Sequence, residues 1–189
     1  ASERPVIQTV FNAAFEDVKE LDPGHAAIIK KDGTFSVKEI VTPLEKKSCS
    51  FERIYFSRGN DAHIYNERQA LGRYLVPAVL RSVNYDLDNT VFSYIPNTAE
   101  VAFGGLIEGL DDYLNKHKAT EILKLGTGIA EPQLSKILSV QPRIHKVVLK
   151  DVKQRTFITD DESRDIMVNL GYDVTYGTVK KGVDNLVVL

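Results

Sequence analysis

The sequence predicts an α/β fold with a mainly parallel sheet and flanking helices, and three observations support that class. Runs of strand-forming side chains alternate with helical patterns from Phe51 onward, which is typical of βαβ units. Residues 25–41 show a different pattern, two strands around the hairpin signal Asp32-Gly33. The chain closes on the apolar run "LVVL", which is typical of a strand buried on both faces of a parallel sheet.

The first 41 residues form a distinct segment. Ser2 is placed to cap a short helix, and residues 22–24, Asp-Pro-Gly, predict a turn. Antiparallel strands are predicted over residues 25–31 and 34–41. Because such a hairpin is too small to enclose a core, we expect it to belong to a larger unit.

A polar connector over residues 42–50 leads into the alternating part of the chain. We predict strands at 51–57, 90–96, 145–150 and 185–189, and helices at 64–83, 99–114, 132–139 and 160–171, with the rest of 116–142 irregular. Pro77 falls inside the first of these helices. Because proline has no N–H and clashes with the preceding turn, that helix should kink or break near Tyr74.

Composition narrows the classes of function. The 189 residues carry a net charge of −2, which argues against a nucleic-acid or membrane partner. The single cysteine, Cys49, excludes an internal disulfide and fits a reducing cytosol. No apolar run approaches the roughly 20 residues that cross a bilayer. We therefore expect a soluble cytoplasmic protein.

Two stretches are candidates for anion binding. In residues 92–105 a strand runs through Asn97 and Thr98 into a helix, whose unpaired N–H groups and dipole favour an anion. The alternative is an ordinary loop with Asn97 or Thr98 as N-cap, and pattern alone favours it. The second stretch, residues 149–159, brings Lys150 and Arg155 after a strand, where they suit phosphate contact. Its alternative is a solvated loop.

Four motifs occur along the chain in one order: "SCSFERIYFSR", "IYNERQALG", "IPNTAEVA" and "KQRTFI", followed by "NLVVL". That order resembles the glutamine phosphoribosyl pyrophosphate amidotransferases, also called amidophosphoribosyltransferases. The matching positions are Cys49, Phe51, Glu52, Tyr55, Phe56, Arg58, Tyr65, Arg68, Gly72, Pro96, Thr98, Arg155, Thr156, Phe157 and Ile158. Residues 1–33 resemble the closing part of the N-terminal glutaminase domain of that family.

The resemblance implies a specific domain organisation. Residues 1–41 would be the end of a glutaminase (class II glutamine amidotransferase) domain. Residues 42–189 would be the first part of a type I phosphoribosyltransferase domain, with an incomplete parallel sheet. The nucleophilic cysteine would precede Ala1 and the phosphoribosyl pyrophosphate loop would follow Leu189. We therefore expect an internal fragment that is inactive alone.

The resemblance also implies the reaction of the parent protein, a glycosyltransferase. Ammonia from glutamine would displace pyrophosphate from phosphoribosyl pyrophosphate and give 5-phosphoribosylamine, in de novo purine biosynthesis with Mg²⁺. Thr98 matches a hydroxyl residue near the metal, although Asn97 stands where the family has an acid. Arg155 and Lys150 match basic residues of a closing loop. Tyr65 and Arg68 match a helix that faces the channel between the two sites.

Several properties stay open at this point. Cys49 matches a position that ligates an iron–sulfur cluster in some members, but a cluster needs several cysteines, so its presence is undecided. Purine nucleotide effectors and a homo-oligomer are expected, the latter through an unpaired sheet edge. The main alternative function is a non-catalytic, nucleotide-binding regulatory domain with a phosphoribosyltransferase fold. A weaker one is such a domain joined to an unrelated β unit.

Overall fold

The structure is a computed structural model that describes residues 3–150, 166, 168 and 171–189. The chain divides into two compact units, Ala1–Ile64 and Tyr65–Leu189. This division falls later than the boundary at 41/42 that the sequence predicts. The assignment of residues 1–41 to a glutaminase domain is a separate matter and stays a prediction.

Unit 1 begins with a short helix and a hairpin. Helix α1, Arg4–Phe11, follows Glu3 at the N-cap, and a 3₁₀ turn spans Phe15–Asp17. Ser2, the predicted cap, lies outside the described residues.

Strands β1, His25–Ile29, and β2, Phe35–Glu39, pair antiparallel, as predicted. In the turn between them, the Thr34 N–H donates to Asp32 Oδ1 at 2.9 Å, and Gly33 has a φ of +84° that favours glycine.

The predicted strand over residues 51–57 is wrong. The chain forms a π-helical turn there, Glu52–Phe56, closed by a bond from the Ser57 N–H to the Glu52 carbonyl at 2.8 Å. The cause is local: the rings of Phe51, Tyr55 and Phe56 lie 5.2–5.3 Å apart, centroid to centroid. Aromatic side chains have high strand propensity, yet here the three rings contact one another within a helical turn.

Helix α2, Ala62–Ser82, continues through Pro77 without the expected break. Arg73 and Pro77 are both exposed, so the hydrogen bond to the Arg73 carbonyl that proline removes lies on the solvent side. The opposite side carries Val76 and Leu80, which are buried in the core of unit 2. Burial of that face holds the helix together across the proline.

Unit 2 is built on a sheet of three strands, β3, Thr90–Ser93, β4, Arg143–Ile144, and β7, Asn185–Val188. The three strands are parallel and lie in the order β4-β3-β7. All four residues of β3 are buried, so it is the central strand. The parallel sheet is confirmed.

Strand β7 is paired as predicted but lies at one side of this sheet. Leu186 and Val188 are 44% and 42% exposed, so the expectation of burial on both faces is wrong. Val187 and Leu189 pack against the core. The central position belongs to β3, and β7 therefore buries one face only.

The remaining elements surround this sheet. Helix α3, Glu100–Leu125, runs eleven residues beyond the predicted end at 114, and Lys118 Nζ in this extension donates to the Leu138 carbonyl at 3.0 Å. Helix α4 spans Glu131–Ser139, as predicted. The predicted strand at 145–150 is confirmed only over its second half, β5, Val148–Lys150, which pairs antiparallel with β6, Tyr172–Val174, instead of joining the parallel sheet. Most of the predicted helix at 160–171 lies outside the described residues.

Helices α2 and α3 approach closely at glycines. A Cβ on Gly72 would lie 1.8 Å from the Ala102 carbonyl oxygen, and one on Gly105 would lie 2.0 Å from the Gln69 carbonyl oxygen. On the exposed side of the same contact, Arg73 pairs with Glu108. The helices, searched over the described residues, include none that could span a bilayer.

Candidate functional site

The carboxyl ends of the three parallel strands meet at one edge of the sheet. The Ile95 N–H donates to the Leu189 carbonyl at 2.7 Å, and the Leu189 N–H donates to the Ser93 carbonyl at 3.2 Å. On the other side of β3, the His145 N–H donates to the Phe92 carbonyl at 3.1 Å. In open α/β sheets this edge is where ligands bind. We call it the carboxyl edge.

Ser93 fixes the chain that leaves β4. It is fully buried, and its Oγ accepts a hydrogen bond from the Val147 N–H at 3.1 Å. The sequence analysis missed this residue. The available signal was a small polar side chain directly after the apolar pair Val91-Phe92, because a buried hydroxyl must find a partner.

The loop with Thr98 connects β3 to α3 at the carboxyl edge. Residues 96–99 form a turn, and the Glu100 N–H donates to the Asn97 carbonyl at 3.3 Å. The N-cap is Ala99, and no side chain caps the helix. Capping by the side chain of Asn97 or Thr98, the ordinary alternative, is therefore wrong. The uncapped start of α3 keeps its capacity for an anion.

Tyr94 and Glu100 flank this loop. The Tyr94 hydroxyl donates to Glu100 Oε1 at 3.3 Å. Partial burial and, in smaller part, the Glu100 charge raise the pKa of Tyr94 above its ordinary value, so the phenol keeps its proton and stays a donor. The Tyr94 ring also stacks at a tilt on Phe103, with centroids 5.0 Å apart. This packing ties the end of β3 to the first turn of α3.

Lys150 closes strand β5, which begins one residue after the Val147–Ser93 hydrogen bond. The lysine pairs with Tyr172 in the β5–β6 register, and its Nζ lies 5.2 Å from the Tyr172 ring centroid, a cation–π contact. The structure therefore attaches the strand with Lys150 to the carboxyl edge. Arg155, the other predicted basic ligand, lies outside the described residues.

Tyr65 and Arg68 lie on α2, whereas Thr98 lies in the loop after β3 and Lys150 lies on β5. Tyr65 is 42% exposed, and its hydroxyl accepts a hydrogen bond from Gln69 Nε2 at 3.2 Å. Arg68 is buried, and desolvation lowers the pKa of its guanidinium. Their predicted role beside a channel stays a prediction.

Metal ligands are sparse in the part of the chain that the structure describes. It contains no group of three His, Cys, Asp or Glu side chains that could hold a metal ion. Asn97, Thr98 and Glu100 do offer hard oxygen atoms, the type Mg²⁺ prefers. The free Cys49 is exposed, and the sequence offers no second cysteine for an iron–sulfur cluster.

An ion pair that the sequence did not reveal holds β4 and β7 in place. Arg143 Nη1 lies 2.6 Å from Asp184 Oδ1, and the Asp184 side chain is only 2% exposed. The Arg143 hydrogen bond, with a second from the Lys180 N–H, lowers the pKa of Asp184 to about 2. The pair lies at the amino ends of the strands, opposite the carboxyl edge, so its role is structural.

Comparisons with known proteins identify the fold. No family model and no curated protein sequence matches the chain. Chains of solved structures do match, and two of them are described here. One is described as the allosteric regulatory enzyme of purine biosynthesis, with 20% identity and a TM-score of 0.51. The other is glutamine phosphoribosylpyrophosphate amidotransferase from B. subtilis complexed with ADP and GMP, with 19% identity and a TM-score of 0.54.

Each comparison covers 90% of this chain and 30% of the other. The chain thus shares the fold of a little under a third of those proteins. The α/β class, with a parallel sheet and an antiparallel hairpin, agrees with the fold expected from the resemblance.

Proposed function

We propose that this chain contributes the end of a glutaminase domain and the first part of a phosphoribosyltransferase domain to an amidophosphoribosyltransferase. That enzyme would convert phosphoribosyl pyrophosphate to 5-phosphoribosylamine with ammonia from glutamine. The observation that carries the proposal is the place of Thr98. Its loop follows the central strand of the parallel sheet, at the edge where β4 and β7 also end.

The start of α3 would hold a phosphate of the substrate. Its first N–H groups have no side-chain cap, and the helix dipole favours negative charge there. The Thr98 hydroxyl, one residue before the N-cap, can donate to an anionic oxygen or accept from a ligand. Anion binding would thus supply the partner that the helix start lacks.

Lys150 and Arg155 would stabilise the leaving pyrophosphate. Negative charge grows on that group as the bond to ribose breaks, so cations placed beside it lower the barrier. Lys150 can serve as a point charge from β5, because Val147, the residue before that strand, is hydrogen-bonded to Ser93 at the carboxyl edge. Arg155 follows five residues later in the sequence and is suited to bidentate contact.

Mg²⁺ would be held mainly by oxygens of the substrate. The described residues lack a cage of carboxylates, and Mg²⁺ in proteins commonly takes one or two side-chain oxygens plus phosphate oxygens and water. Thr98, with Asn97 in place of the family acid, and Glu100 are the residues that would approach it. When bound, the ion neutralises charge on the diphosphate.

Glutamine hydrolysis would be a property of the whole enzyme. The resemblance assigns it to a cysteine near a mature N-terminus, and the only cysteine of this sequence is Cys49. Tyr65 and Arg68 would line the route of ammonia. We predict that the chain alone neither hydrolyses glutamine nor forms phosphoribosylamine.

Asn97 favours a second candidate, a regulatory domain that binds a purine nucleotide without catalysis. The family acid at that position would orient the metal, and an amide lacks its charge. One of the two similar structures is a complex with ADP and GMP, so purine nucleotides are the ligands to try.

Calorimetric titration separates the two candidates. The chain is titrated with phosphoribosyl pyrophosphate in the presence and absence of Mg²⁺, and in parallel with ADP and GMP. We expect binding of phosphoribosyl pyrophosphate that depends on Mg²⁺ and weakens about tenfold in Thr98→Ala, the loss of one charge-assisted hydrogen bond.

Thr120→Ala is the matched control, because its exposed hydroxyl bonds only the Lys116 carbonyl within α3. Binding of nucleotide alone would support the regulatory domain. Equal affinity of Thr98→Ala and Thr120→Ala for phosphoribosyl pyrophosphate would overturn the proposed site.

A further inference from the structure

Unit 1 contains a cavity of about 370 Å³, a volume within the range of small-molecule sites. All of its lining residues belong to unit 1, whereas the carboxyl edge belongs to unit 2. Four permanent cations line it, Arg4, Lys19, Arg53 and Arg58, together with three carboxylates, Glu3, Glu20 and Asp61.

Each of these carboxylates already has partners. Glu3 Oε2 accepts the Arg58 N–H at 3.0 Å and lies 3.7 Å from Arg58 Nε. Glu20 Oε1 lies 2.7 Å from Lys46 Nζ. Asp61 Oδ1 accepts backbone N–H groups from the first turn of α2, at 3.0 and 3.3 Å. The acidic lining is therefore committed to internal contacts.

Arg4 and Lys19 differ from this pattern. The Arg4 guanidinium lies over the Phe15 ring, with Cζ 4.1 Å from the centroid. Its Nε is buried and has no hydrogen-bond acceptor in the described part of the chain. Lys19 is exposed, and no hydrogen bond or ion pair of its side chain occurs among the residues described. An anion inside the cavity would give Lys19 the partner that its side chain lacks within the described ranges, and the charge of Arg4 would add to the attraction.

Neighbouring residues add positive electrostatic potential to the cavity beside Arg4 and Lys19. Arg4 is the first residue of α1, and Glu3 at the N-cap makes no side-chain cap bond because its carboxylate is turned to Arg58. The pKa of Glu20 is lowered, chiefly by its Lys46 hydrogen bond and in smaller part by the charges of Arg4 and Arg53. Cations from three segments thus act on one cavity wall.

We propose that this cavity binds a small phosphate-bearing anion, held by Arg4 and Lys19 at the start of α1. Phosphate suits the donor set, because a planar guanidinium and an ammonium can each meet one of its oxygens. The Phe15 ring fixes the Arg4 guanidinium in place before the anion arrives, which reduces the entropy lost on binding.

The test is calorimetric titration of the full 189-residue chain at low ionic strength with inorganic phosphate and with glycerol 3-phosphate. We expect single-site binding that weakens about tenfold in Lys19→Gln and in Arg4→Gln, the loss of one charged hydrogen bond each. Tighter binding of glycerol 3-phosphate points to a phosphorylated metabolite, and equal binding points to phosphate itself. Both results support the site.

Lys31→Gln, in the exposed hairpin turn, is the control for loss of one positive charge. Because Lys19 is exposed, Lys19→Gln keeps the fold even if Arg4→Gln does not. The absence of saturable binding, or equal affinity of Lys19→Gln and Lys31→Gln, overturns the proposal. Neither result bears on the Thr98 site, which belongs to the other unit and is tested with another ligand.

Discussion

Gly72 shows how one missing side chain sets the distance between two helices. A Cβ at this position would lie 1.8 Å from the Ala102 carbonyl oxygen and 2.6 Å from the Leu106 nitrogen, and both are backbone atoms that cannot turn away. We predict that Gly72→Ala forces α2 and α3 apart and lowers the free energy of unfolding by about 1–3 kcal/mol, as overpacking does. Urea denaturation measures the change.

Gly104→Ala is the matched control for this prediction. Gly104 also lies in α3, but nothing stands within 4 Å of a Cβ there. Because alanine favours the helix over glycine, this variant should gain about 0.5–1 kcal/mol. Equal effects of the two substitutions on the free energy of unfolding would show that the close approach of the helices is not what requires glycine at position 72.

The carboxyl group of Asp184 makes the stability of the folded chain depend on pH. Its pKa is about 2 in the folded chain, lowered first by the Arg143 hydrogen bond, against about 3.9 when unfolded. The ionised Asp184 carboxylate therefore stabilises the folded state at pH values above the unfolded pKa. This stabilisation disappears as the pH falls through the pKa of the folded state. We predict that Asp184→Asn is less stable than wild type at pH 7, with a difference that shrinks steadily towards pH 2.

Urea midpoints at pH 7, 4, 3 and 2 measure this difference. Asp88→Asn is the control, because Asp88 is exposed and gives Arg143 only its backbone carbonyl. A difference between wild type and Asp184→Asn that stays constant over that range would contradict the account.

At the scale of elements, β7 offers an edge to other chains. The N–H groups of Asn185 and Leu189 point to β3, and alternation along a strand then turns those of Leu186 and Val188 the other way. In the described sheet no further strand follows β7. We predict concentration-dependent dimers or larger species through this edge, as exposed strands favour.

Val188→Pro removes one outward donor and leaves the pairing with β3 intact, so it should shift the chain towards monomer in sedimentation velocity. Val187→Pro is the contrast, since by the same alternation its N–H faces β3 and its loss should unfold the sheet. A wild-type monomer at every concentration would refute the prediction.

Elements with strong local signals were predictable from the sequence. The hairpin followed from Asp32 and Gly33, and β3 from its apolar run. The π-helical turn at Glu52–Phe56 was not, because strand propensity cannot show whether aromatic rings will meet a neighbouring strand or one another. The continuation of α2 through Pro77 depends on burial of Val76 and Leu80, which sequence order does not reveal.

The candidate site was predictable only where a residue follows a strand. Thr98 could be placed at a strand end, and the structure puts it at the carboxyl edge. Ser93 and Asp184 act through contacts with residues that lie 54 and 41 positions away in the chain. Such pairings arise from the sheet order β4-β3-β7, which periodicity does not encode.

At the scale of the whole molecule, two anion sites are proposed, one in each unit. The chain spans 30% of each of the two similar structures, so the whole reaction is proposed for a larger enzyme that contains this chain and not for these residues alone. The central claim for the chain is narrower: the start of α3, at the carboxyl edge, receives the phosphates of phosphoribosyl pyrophosphate.

Amide chemical-shift mapping of the ¹⁵N-labelled chain tests this claim most directly. On titration with phosphoribosyl pyrophosphate and Mg²⁺, we predict the largest shifts at residues 97–103 and at Lys150, with the hairpin of unit 1 unchanged. Saturating shifts confined to the cavity around Arg4 and Lys19, or no shifts at the start of α3, would contradict it.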